Sequence, residues 1–115
     1  MTFENRVAEW VRTRIGPAHM QPAERAMRLL EEAIELAQAE GITEDQVIRQ
    51  IDHVFGRPPG KVFQEAGGVA VCLLAWCASR NVRLNDVAAA EIQRIEAKPL
   101  SEIRGSVARK ADADL

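Results

Sequence analysis

Fourteen consecutive residues without a charge, Ala66 to Ser79, constrain this chain more than any other feature. The run reads AGGVAVCLLAWCAS, so a helix built from it is apolar on every side, the mark of a helix buried all round. It falls short of the ~18–20 residues needed to cross a bilayer, and a buried helix in a soluble fold is the expectation. Val and Ile elsewhere recur at helical spacing, Tyr is absent and aromatic content is 4%, so no segment reads as a strand. The predicted fold class is all-α.

Local signals divide the chain into about five helices. Thr2 can cap a first helix to about Ile15, whose apolar stripe is Phe3, Val7, Trp10 and Val11 and whose stop is Gly16-Pro17. A second begins near Pro22, where a missing N–H costs nothing, and runs to Glu40 before Gly41 ends it. Thr43 followed by Gln46 has the form of a capping box, with Glu44 and Asp45 in the positive first turn, which predicts a third helix over 44–54. Gly56-Arg57-Pro58-Pro59-Gly60 is a loop, the fourth helix spans 61–80, and Asn85 is the expected cap of a fifth over 86–98, closed by Pro99. One domain is predicted over 1–105, with a polar, weakly patterned and flexible tail over 106–115.

With 47% apolar and 28% charged residues the chain has the composition of a folded globular protein. Fifteen basic against seventeen acidic residues leave a net charge of −2 and no basic stripe, which argues against nucleic acid as a partner. No signal-peptide pattern opens the chain, no span is long enough for a membrane, and Cys72 and Cys77, five apart, suit neither a disulfide nor a metal pair. They read as core residues of a reduced, cytoplasmic protein.

The chemistry-bearing residues are carboxylates. Opposite the apolar stripe of the second helix (Met27, Leu30, Ile34, Ala37) lie Glu31, Glu32 and Glu35 at steps of one turn. Such a cluster is either a solvated face or a set of ligands for a cation. Glu65 stands at the entry to the apolar helix, where a buried carboxylate needs a cationic partner. That partner is either Lys61 or an arginine of the second helix, or a metal ion shared with Glu32 and Glu35. Magnesium suits the second reading, because it takes carboxylate oxygens, keeps waters and is completed by phosphates. Gly67 and Gly68 would let a helix or ligand approach closely.

Residues 25–39, RAMRLLEEAIELAQA, resemble the E-E-x-x-E helix of MazG-like nucleoside triphosphate pyrophosphohydrolases, and residues 65–75, EAGGVAVCLLA, resemble that family's E-x-x-D motif. The likeness covers roughly residues 20–105. It implies a MazG-like helical bundle completed by oligomerisation, as a homodimer or homotetramer. It also implies a magnesium-dependent enzyme, manganese being an alternative, that hydrolyses (d)NTP to (d)NMP and pyrophosphate in nucleotide-pool house-cleaning. By the same resemblance Glu32, Glu35 and Glu65 would be metal ligands, and Glu31 would be a further ligand or would orient the attacking water. Arg94, Lys98 and Arg104 lie where relatives carry basic residues for the triphosphate; their other reading is charge complementing helix C-termini. Trp10 and Trp76 are either base-stacking or core residues. The sequence departs from the family at Gly68, which replaces the aspartate ligand; Asp86 is a candidate substitute. The alternative is therefore a catalytically impaired nucleotide-binding or helical interaction protein.

Overall fold

A computed structural model describes residues 1–115. The chain is all-helical: α1 (Phe3–Trp10), a π turn (Val11–Ile15), a short 3-10 turn (Pro17–His19), α2 (Pro22–Ala39), α3 (Glu44–Phe55), α4 (Val62–Ser79), α5 (Leu84–Glu96) and α6 (Leu100–Asp112). It gathers into two compact units, one formed by Met1–Leu36 with Ile92–Leu115 and the other by Ala37–Glu91.

Local chemistry accounts for most helix ends. Thr2 accepts a hydrogen bond from the Asn5 N–H. Thr43 and Gln46 form the reciprocal box, each side chain serving the other residue's backbone N–H. The ends of α2 and α4 are built alike. Gly41 (φ 86°) and Asn81 (φ 56°) adopt the left-handed conformation, and the following Ile42 and Val82 N–H groups donate to the Ala37 and Cys77 carbonyls at 2.9 and 3.0 Å. These are paired Schellman closures, which satisfy carbonyls that the helix leaves orphaned. Each is followed at once by the next helix, so α2–α3 and α4–α5 are connected by equivalent corners.

In the first unit Val11, Ile92 and Ile103 are buried, and α6 packs against the π turn. Ion pairs frame this core. Arg6 pairs with Glu96, which also accepts at its main-chain oxygen from Arg14 Nη2 at 3.1 Å. Lys110 Nζ reaches Glu31 at 2.7 Å, tying α6 to α2.

In the second unit Cys77 is buried, and the two corners are clamped. Glu40 accepts from Trp76 Nε1 at 2.7 Å and from the fork of Arg80, with Nε at 2.9 Å. The Arg80 hydrogen bond first and the Trp76 one second hold the Glu40 carboxyl at about 2, below its usual 4.5. A carboxylate depressed in the folded state stabilises it above the unfolded value and loses that contribution as pH falls towards the folded one. The wild type is therefore expected to lose melting temperature between pH 4.5 and about 2 more steeply than Glu40→Gln, whose curve should meet it near pH 2. Parallel curves across that window in thermal melts would rule the clamp out.

Three expectations are corrected. The apolar α4 is not buried: of its side chains only Cys77 is, while Cys72, also expected in the core, is exposed. A helix apolar on every side needs neighbours on every side, and within its own unit α4 packs extensively against no other helix. Asn85 does not cap α5: the helix begins at Leu84, because Val87 N–H donates to the Arg83 carbonyl at 3.1 Å directly after the Schellman corner. Residues 106–112, expected in a flexible tail, continue α6, anchored by buried Ile103 and by the Lys110 ion pair.

Candidate functional site

Three of the four carboxylates of α2, Glu31, Glu32 and Glu35, lie within five residues of one another. Glu31 is half-buried and engaged, accepting from Lys110 at 2.7 Å and from Arg28 Nη1 at 3.2 Å. The Lys110 hydrogen bond, with Coulombic help from Lys110 and Arg28, lowers its pKa against the opposing cost of burial. Its charge is thus compensated within the protein. Glu32 and Glu35 are exposed, and Glu35 makes no hydrogen bond or ion pair. Positions three apart on a helix share a face, so these two carboxylates stand together towards solvent.

Glu65 lies in the first turn of α4. It is exposed, and no ion pair joins it to Lys61. The cationic partner expected of a buried carboxylate is absent because the residue is not buried and water solvates it. Its side chain folds back over the loop, so that a Cβ on Gly60 would lie 2.5 Å from Oε1. Gly60 is the residue that permits this conformation.

No three His, Cys, Asp or Glu side chains gather closely enough to hold a metal ion. An ideal Cβ at Gly68 would meet no atom within 4 Å, so the backbone there has room for the aspartate that the motif lacks. Asp86 is exposed in the first turn of α5. Of the basic residues, Arg94 is exposed on the last turn of α5, Lys98 is half-buried in the connection to α6, and Arg104 is exposed on α6.

Trp76 is committed to the Glu40 clamp. Trp10 lines an open cleft of about 440 Å³ together with Arg6, Glu9, Thr13, Arg14 and Glu96, and its Nε1 is buried without a partner. Sequence reasoning missed Lys110, the cation that neutralises Glu31, because the residues are 79 positions apart. The basic last turn of α6 was the available signal. It also missed the Glu40–Arg80 pair; the shared position of these residues in two helix-ending segments, A-E-G and S-R-N, was the clue.

Compared with known proteins, the chain matches no family model, no curated protein and no solved structure.

Proposed function

We propose that this chain is a magnesium-dependent nucleoside triphosphate pyrophosphohydrolase that converts (d)NTP to (d)NMP and pyrophosphate. The observation that carries the reading is on α2: Glu31 is neutralised by Lys110 and Arg28, while Glu35, one turn away, is exposed and open to a cation, with Glu32 exposed on the same face. Three carboxylates do not converge in the chain, and a closed protein cage is not what magnesium needs. It is commonly held by one or two carboxylates, with waters and substrate phosphates completing its shell. Glu32 and Glu35 supply such a pair, and bound magnesium would neutralise phosphate charge. Arg94, Lys98 and Arg104 are the cations proposed for the triphosphate, and manganese is expected to substitute for magnesium.

Gly68 supports a second reading, a nucleotide-binding or interaction module that keeps the helices without turnover, because no side chain exists where the motif has its fourth acid. One assay separates the two. Pyrophosphate release is measured across canonical and modified (d)NTPs with magnesium and with manganese, for the wild type and Gly68→Asp. Turnover by the wild type, raised about tenfold or more by the added carboxylate, is the expected result. A silent wild type with an active Gly68→Asp would establish the second reading, and silence in both would remove the pyrophosphohydrolase altogether. The open space around Gly68 means the substitution carries no steric cost.

A further inference from the structure

Along α1 and the π turn that continues it, Arg6, Glu9, Trp10, Thr13 and Arg14 recur at the steps of three and four residues that gather side chains on one helix face. Together with Glu96 from the last turn of α5 they line the open cleft of about 440 Å³, a volume within the ~300–1000 Å³ of small-molecule sites. All of these residues belong to the first compact unit. None of the residues proposed for magnesium or for the triphosphate lines the cleft.

The charges on this face are unevenly paired. Arg6 holds the Glu96 carboxylate. Arg14 is half-buried, yet its Nη2 donates to the main-chain oxygen of Glu96 at 3.1 Å, a neutral acceptor, and no carboxylate forms an ion pair with it. A partly desolvated guanidinium is thus left without a counter-ion of its own, a condition that favours an incoming anion. Glu9 presents the opposite need. It engages Thr13 Oγ1 through its main-chain oxygen at 2.8 Å, while its carboxylate is exposed and unpaired. Among the side chains of the cleft one cation and one anion therefore stand unmet, with the half-buried Trp10 indole on the same face. An indole offers an apolar wall and, to an ammonium group, an attractive ring face.

We propose that this cleft binds a zwitterion, an α-amino acid with a large apolar side chain, whose carboxylate meets Arg14, whose ammonium meets Glu9 and whose side chain lies against Trp10. A guanidinium takes a carboxylate through charge-assisted N–H···O bonds. An anion such as phosphate would leave Glu9 facing like charge, and an amine alone would leave Arg14 unmet, so a ligand with both groups matches the face better than either. Thr13 and Arg14 sit in the π turn itself, which the Gly16 N–H closes by donating to the Val11 carbonyl at 2.8 Å; such widened turns recur at functional sites. The inference uses neither the α2 carboxylates nor turnover, and it is independent of the pyrophosphohydrolase reading.

The test is isothermal titration calorimetry and thermal melting of the full chain with L-phenylalanine, L-leucine and L-methionine, and with phenethylamine and 3-phenylpropionate, which keep one charged group each. At least one of the amino acids is expected to bind with a Kd below about 1 mM and to raise the melting temperature, as binding to the folded state requires. Each singly charged analogue should bind at least about tenfold more weakly than L-phenylalanine. Glu9→Gln, which removes a carboxylate without a hydrogen bond or ion pair, should weaken the amino acids and phenethylamine about tenfold and leave 3-phenylpropionate unchanged or tighter; Arg14→Gln should do the reverse. Should Arg14→Gln lose its fold with its bond to Glu96, Glu9→Gln decides alone. No binding of any of the three amino acids at about 10 mM, analogues as tight as L-phenylalanine, or amino-acid binding unchanged in Glu9→Gln would each overturn the proposal.

Discussion

Glu35→Gln is expected to lower pyrophosphate release by at least about 100-fold while leaving the fold intact. The two halves of this expectation have separate physical causes. On the proposed function, removing one of the two carboxylates proposed to hold magnesium would forfeit several kcal/mol of charge stabilisation in the reaction, and each ~1.4 kcal/mol is a factor of ten in rate. For stability the same change is neutral or slightly favourable. Glu35 has no hydrogen bond or ion pair to lose, and it sits one turn from both Glu31 and Glu32, so its removal relieves like-charge repulsion worth a few tenths of a kcal/mol. Glu31→Gln supplies the contrast. It breaks the pair with Lys110, a partly exposed contact worth ~1 kcal/mol or less, and it should lower the melting temperature while affecting turnover less. Initial rates at saturating magnesium, set beside thermal melts of both variants, make the comparison. Full activity in Glu35→Gln would remove that residue from the metal site.

The second large effect belongs to α6. Ile103→Ala is expected to cost about 2–5 kcal/mol, the usual range when a buried Ile is cut to Ala and the surroundings do not collapse into the space. The reason lies in how little apolar surface this unit buries. Val11, Ile92 and Ile103 are its buried side chains, and Ile103 is the one buried residue of α6, the helix that packs against the π turn. Losing it should loosen the helix, and with it the Lys110 contact to Glu31. Urea unfolding at fixed protein concentration measures the cost, which matters because association shifts the midpoint. A change under about 0.5 kcal/mol, the level of an ordinary surface substitution, would mean that α6 is not anchored.

Helix ends in this protein were legible where a few neighbouring residues carry the whole reason. Thr43 with Gln46, Pro22 at a first turn and Gly41 at a stop each satisfy or excuse backbone groups within three or four positions. The fifth helix shows where such reasoning stops short: Asn85 has the chemistry of a cap, yet Asn81 adopts the left-handed conformation and the corner it makes starts the helix before Asn85 is reached. The candidate site divides in the same way. Helical spacing alone places Glu32 and Glu35 together on one face of α2. That Glu31 is neutralised is decided by Lys110, and nothing near Glu31 in the chain announces it.

By itself the sequence determined that the chain is helical, where most helices begin and end, and which of its carboxylates share a face, because those properties depend on contacts a few residues long. Tertiary structure alone decided that of the α4 side chains only Cys77 is buried, that residues 106–112 join a helix bound to the rest of their unit, and that Glu31 is neutralised. Each of these depends on which distant segments meet, and an apolar pattern states that a surface must be covered without saying whether the cover comes from the same chain.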